Sequence, residues 1–101
     1  VYFETGSAEI GPKGQETIAA VARLVAAGSV SRVELTGLTD RTGDLAINEA
    51  LSKRRADAVK AALVAAGVSE ANVSLKPPMF VEAGHAGADA EARRVEITRA
   101  D

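Results

Sequence analysis

Apolar residues recur at helical spacing in the first third of the chain: Ile18, Val21, Ala22 and Val25 fall at i, i+3, i+4 and i+7, one stripe of an amphipathic helix. Pro12 suits a first helical position, where its missing N–H is no loss, and Gly28 supplies a stop. A helix is therefore predicted from about Pro12 to Ala27. Ahead of it, Val1-Tyr2-Phe3 reads as a β-strand, and residues 4–10 form a loop of small and polar residues. Val33 and Leu35 alternate with Arg32, Glu34 and Thr36, the period of a half-buried strand that runs out near Leu38-Thr39. Asp40-Arg41-Thr42-Gly43-Asp44 is a turn, and a second helix is predicted from Leu45 to about Ala66, stopped by Gly67. Val73 and Leu75 make a third strand ended by Pro77-Pro78, residues 79–92 a long Gly- and Ala-rich loop, and Arg94 to Thr98 a final alternating strand. The order β-α-β-α-β-β predicts an α/β two-layer sandwich, with both helices packed on one face of a mixed four-stranded sheet.

Composition narrows the chemistry. The 101 residues suffice for one core. Twelve Lys and Arg stand against fourteen Asp and Glu, a formal net charge of -2, so nothing draws the chain toward nucleic acid. With no cysteine and one histidine, thiolate sites, disulfides and His-rich metal centres are excluded, and no cofactor or metal is expected. No apolar run approaches membrane-spanning length, so any membrane attachment is expected to lie in parts of a parent protein outside this chain. The chain begins at Val1 inside a strand pattern, which reads as one domain, residues 1–101, cut from a longer protein. Only 3% of residues are aromatic, so the core is built of Ala, Val and Leu, and a polar side chain on a core face needs a reason.

The second helix carries two such residues. With Leu51 at zero on a wheel of ~100° per residue, Ala62 lies near ~20°, Val59 near ~80° and Leu63 near ~120°, the core-facing arc. Arg55 falls near ~40° and Asn48 near ~60°, whereas Glu49, Lys53, Asp57 and Lys60 occupy the opposite face. A guanidinium on the apolar side must be answered by an acceptor. Asp40, ending the preceding strand, is the nearest candidate, because Arg55 leans back toward the helix N-terminus. Two readings stand side by side. An Asp40–Arg55 salt bridge would tie strand to helix, whereas an opposed carboxylate and guanidinium would form a receptor for a zwitterion. In the second reading, Thr42 and Asn48 add neutral hydrogen bonds.

The string Leu35-Thr36-Gly37-Leu38-Thr39-Asp40-Arg41-Thr42-Gly43, followed by Asn48, Leu51-Ser52, Arg55-Ala56 and Arg93-Arg94-Val95-Glu96-Ile97, resembles the OmpA-like peptidoglycan-binding domain. That family includes the C-terminal domains of outer-membrane porins, peptidoglycan-associated lipoproteins and flagellar stator proteins. The resemblance spans the whole chain. It implies non-covalent binding of the peptidoglycan stem peptide at the free end of diaminopimelate, which carries both an ammonium and a carboxylate. It also implies that Asp40 and Arg55 are the paired ligand residues and that Thr42 and Asn48 line the pocket. Arg94 is expected to contribute from the final strand, while Arg93, on the face of Val95 and Ile97, reads equally as structural. The implied role is anchoring a parent outer-membrane or envelope protein to the cell wall in the periplasm. The chain departs from the family at Leu38, where His is common, at Ile47, where an aromatic is common, and at Ala92, where Asn usually precedes the arginine pair.

Other chemistry finds little support. His85 has no identifiable nucleophile partner, Ser7 and Ser52 have no visible base, and Gly6, Gly11 and Gly14 lack the spacing of a nucleotide fingerprint. No catalytic residue is expected. The alternative from another class is a protein–protein assembly domain of the same fold that has lost peptidoglycan binding. Joint retention of Asp40, Thr42, Gly43, Asn48 and Arg55 favours the binding module.

Overall fold

The computed structural model describes residues 1–4, 7–40, 45–81 and 93–100, with the backbone alone described at 40, 45 and 81. Helix α1 spans Pro12–Ala26, strand β1 Val33–Asp40, helix α2 Leu45–Ala65, strand β2 Val73–Val81 and strand β3 Val95–Arg99, with a single 3-10 turn at Glu70–Asn72 ahead of β2. The element order follows the expected α/β plan.

Both helices end by the same device. Ser29 N–H bonds to Leu24 O (3.0 Å) and Gly28 N–H to Val25 O (3.1 Å) at the end of α1. Val68 N–H to Leu63 O (3.0 Å) and Gly67 N–H to Val64 O (3.0 Å) repeat the pattern after α2. This double closure leaves the pivot residue left-handed, and the pivots are Gly28 (φ +78°) and Gly67 (φ +104°). At the other end of α1, Gly11 is the N-cap and Pro12 opens the helix.

The strand order is β2-β1-β3, with β1 parallel to β2 and antiparallel to β3. Among the described residues three strands form, not the expected four. Val1–Phe3 does lie along the free side of β3, with Val95 N–H bonding to Val1 O (2.8 Å) and Phe3 N–H to Arg93 O (2.7 Å). Among the described residues it makes an isolated bridge between Tyr2 and Arg94.

The third strand also differs from expectation, since β2 runs through Pro77 and Pro78 to Val81. Thr36 pairs with Lys76 and Leu38 with Met79, so the two prolines together oppose the single residue Gly37. A bulge on an edge strand needs no N–H from either proline, which is why this strand tolerates them.

The core joins Ile18 and Ala22 of α1, Ala56, Val59 and Leu63 of α2, and the inner face of the sheet at Val33, Leu35, Val73 and Val95. Both helices thus cover one face. On the other face, Lys76 Nζ pairs with Glu34 Oε2 at 3.3 Å and Arg94 Nη2 with Glu96 Oε2 at 2.8 Å.

Candidate functional site

On α2 the buried residues are Ser52, Arg55, Ala56, Val59 and Leu63, a stripe at i, i+3, i+4, i+7 and i+11. Arg55 is therefore carried into the interior by the same periodicity that buries Val59, and it is only 3% exposed. Leu51 and Ala62, which open the expected arc, are half-buried at its margin, whereas Ser52 is 1% exposed. On the same wheel Ser52 falls near ~100°, inside the apolar arc, so its burial was available from the spacing.

Backbone carbonyls hold the guanidinium of Arg55. Its Nε donates to Ser7 O at 2.8 Å and its Nη2 to Glu4 O at 3.1 Å, while Cζ stands 5.4 Å from the centroid of the Phe3 ring. Phe3 is itself buried, so the cation lies over an apolar plate beside the chain that leads into α1. Burial pushes the Arg55 pKa down, and the positive charges of Arg93 and Arg54 push it in the same direction. A desolvated cation among like charges favours an anion as its next neighbour.

Arg93 belongs to this neighbourhood. Its Nε donates to Phe3 O at 2.9 Å, so two arginines clasp the backbone of the same N-terminal segment. A hollow of about 420 Å³ opens beside Arg93, lined by Tyr2, Phe3, Glu4, Ser7, Glu9 and Gly11, and Arg55 is not part of its lining.

Asn48 lies in the first turn of α2, half-buried, two turns before Arg55 and so on the same side of the helix. Asp40 is the last residue of β1, in register with Val81. The Asp40 side chain and all of Thr42 lie outside the described residues, as do Gly43, His85 and Ala92. Arg94 is not brought to the site. It alternates with buried Val95, pairs with Glu96 on the far face of the sheet, and accepts the Leu38 N–H at its carbonyl (2.9 Å). The strand pleat therefore gives the Arg55 side to Arg93 and the opposite side to Arg94. The sequence reading also missed the carbonyls of Glu4 and Ser7, because a backbone acceptor 48 to 51 residues away leaves no mark in residue identity.

Of the departures from the family pattern, Leu38 is buried on the outer face of the sheet and Ile47 is exposed at the start of α2. Among the described residues, no cluster of His, Cys, Asp or Glu could hold a metal ion, and no helix is long and apolar enough to cross a membrane.

Comparison with known proteins identifies the family. The OmpA family model matches residues 2–98. The chain is 38% identical to the peptidoglycan-associated lipoprotein of Pseudomonas aeruginosa, over 97% of this chain and 60% of that protein. It is 35% identical to the probable lipoprotein YiaD of Escherichia coli, over 97% of this chain and 47% of that protein. The chain thus spans about half the length of these curated relatives. Among solved structures, the peptidoglycan-associated lipoprotein of Burkholderia pseudomallei superposes with a TM-score of 0.79 at 27% identity, covering 97% of this chain and 86% of that one. The cell wall anchor of the Pseudomonas aeruginosa T6SS gives 0.76 at 26% identity, covering 97% and 73%. The C-terminal domain of Helicobacter pylori MotB shares the fold, with a TM-score of 0.79 at 21% identity, covering 99% and 82%. The chain belongs to the OmpA family.

Proposed function

We propose that this domain binds peptidoglycan without cleaving it, by recognising the free end of diaminopimelate in the stem peptide. In doing so it anchors a parent outer-membrane or envelope protein to the cell wall. The observation that carries this reading is the state of Arg55: a buried guanidinium, oriented by the carbonyls of Ser7 and Glu4 and crowded by Arg93 and Arg54. Such a group is a preorganised receptor for a carboxylate, because backbone carbonyls fix its rotamer before the ligand arrives and burial beside Arg93 and Arg54 makes added negative charge favourable. In the proposed complex Arg55 holds the ligand carboxylate, Asp40 accepts from the ligand ammonium, and Thr42 and Asn48 supply neutral hydrogen bonds. Binding here requires neither cofactor nor covalent chemistry. The relatives named as peptidoglycan-associated lipoproteins, and the T6SS cell wall anchor, support a tethering role in the periplasm.

Retention on purified sacculi tests the reading. Asp40→Asn removes the charge and keeps the shape, and it is expected to abolish co-sedimentation while the far-UV circular dichroism stays that of the folded domain. Retention of Asp40→Asn and Arg55→Lys at the wild-type level would overturn the site and leave the assembly-domain alternative in its place.

A further inference from the structure

Gly37 and Ser52 make the closest approach between β1 and α2. An ideal Cβ built on Gly37 would collide with Ser52 Oγ and stand 2.8 Å from the Ser52 carbonyl oxygen. The Ser52 hydroxyl is buried and finds no hydrogen-bond partner among the described residues, so the residue is held there by packing. Gly37 has little room to yield. It lies on the central strand, in register with Val95 of β3 on one side and against the Pro77-Pro78 bulge of β2 on the other.

The contact also lies between the two residues assigned to the ligand. Gly37 is three residues from the end of β1, about 10 Å along the strand, and Ser52 is seven residues into α2, about 10 Å along the helix. From this point Asp40 lies three residues farther along the strand, and Arg55 three residues farther along the helix with its side chain leaning back toward the N-terminus. The two residues assigned to the ligand therefore ride on two elements whose spacing is fixed at one contact between them.

We propose that Gly37 and Ser52 are positioning residues that set the distance between the ammonium-accepting and carboxylate-binding halves of the site. This proposal rests on the diaminopimelate reading above. A side chain at Gly37 must move the Ser52 carbonyl from 2.8 Å to the ordinary contact range of 3.4 Å or more, a displacement of about 0.6 Å. Because β1 is braced on both edges, that displacement falls on α2 and carries Arg55 away from β1. A receptor that needs two charged contacts at once loses its preference for the doubly charged ligand when one contact is moved out of reach.

The test is the ratio of affinities of the folded domain for two soluble stem peptides, one containing diaminopimelate and one containing lysine, which lacks the second carboxylate. Gly37→Ala is expected to lower the wild-type ratio by about tenfold or more, toward unity. A smaller folded fraction would weaken both peptides equally and leave the ratio unchanged, so the ratio separates positioning from stability. Ser52→Cys enlarges the atom that faces Gly37 without altering the glycine, and it is expected to lower the ratio by about threefold. It decides the matter if Gly37→Ala does not fold. A wild-type preference that survives both Gly37→Ala and Ser52→Cys would overturn the positioning role alone. Equal binding of the two peptides by the wild-type protein would overturn the diaminopimelate reading itself, and this proposal with it.

Discussion

Replacing Arg55 with alanine separates its structural work from its binding role. Among its contacts, the side chain donates to the carbonyls of Ser7 and Glu4 at 2.8 and 3.1 Å and stands 5.4 Å from the Phe3 ring centroid. Hydrogen bonds from a charged donor contribute ~1.5–3 kcal/mol each, and the ring contact adds ~0.5–1 kcal/mol. Against this, truncation relieves the cost of burying the charge and its repulsion by Arg93 and Arg54. The net expectation is a loss of about 2–4 kcal/mol, less than the ~5–15 kcal/mol of a typical domain, so the variant folds but with a smaller margin. For a chain of this size the melting temperature should fall by roughly 10–25 °C. Urea unfolding followed by far-UV circular dichroism is the suitable assay, because the chain has no tryptophan and a single tyrosine. The midpoint should fall with the slope unchanged. Arg55→Lys, which keeps the charge but loses the fork, should lie between wild type and alanine. A stability change below about 0.5 kcal/mol for Arg55→Ala would refute the claim that this side chain clamps the N-terminal segment.

Further outcomes follow from the glycine caps and the outer face of the sheet. Gly28→Ala and Gly67→Ala should each destabilise by about 1 kcal/mol or more in urea melts, although no atom lies within 4 Å of either added Cβ, because φ is +78° and +104°. Lys76→Ala should change stability by less than about 1 kcal/mol, since its 3.3 Å pair with Glu34 leaves the lysine side chain 52% exposed. A larger effect in the same melts would mean that the outer face of the sheet contributes more than a solvated ion pair.

What the sequence made legible was periodic or covalently restricted. The stripe Ile18, Val21, Ala22 and Val25, the opening of α1 at Pro12, and the stops at Gly28 and Gly67 depend on neighbours within one turn, and the helix ends fall within a residue of expectation. The anomaly of Arg55 was visible for the same reason. Partners brought together from distant parts of the chain were not. Pro77 and Pro78 look like a strand end in isolation and become admissible only because β2 is an edge strand with a bulge opposite Gly37. Val1-Tyr2-Phe3 has strand composition but makes only an isolated bridge among the described residues. Of the two adjacent arginines, pleat alternation anchored by buried Val95 brings Arg93 to Arg55 and sends Arg94 to the far face, and neither assignment follows from residue type. Ser52 gave a helical-wheel signal that its polarity obscured.

The central claim is recognition of a zwitterion by an opposed pair whose guanidinium half is already fixed in place. Calorimetric titration of the wild-type domain with a diaminopimelate-containing stem peptide, beside its lysine-containing counterpart, tests it most directly. The two peptides offer Asp40 the same ammonium and differ in the carboxylate offered to Arg55. The account predicts at least about tenfold tighter binding of the diaminopimelate peptide, the equivalent of one charge-assisted contact. Equal affinity for the two peptides would contradict it.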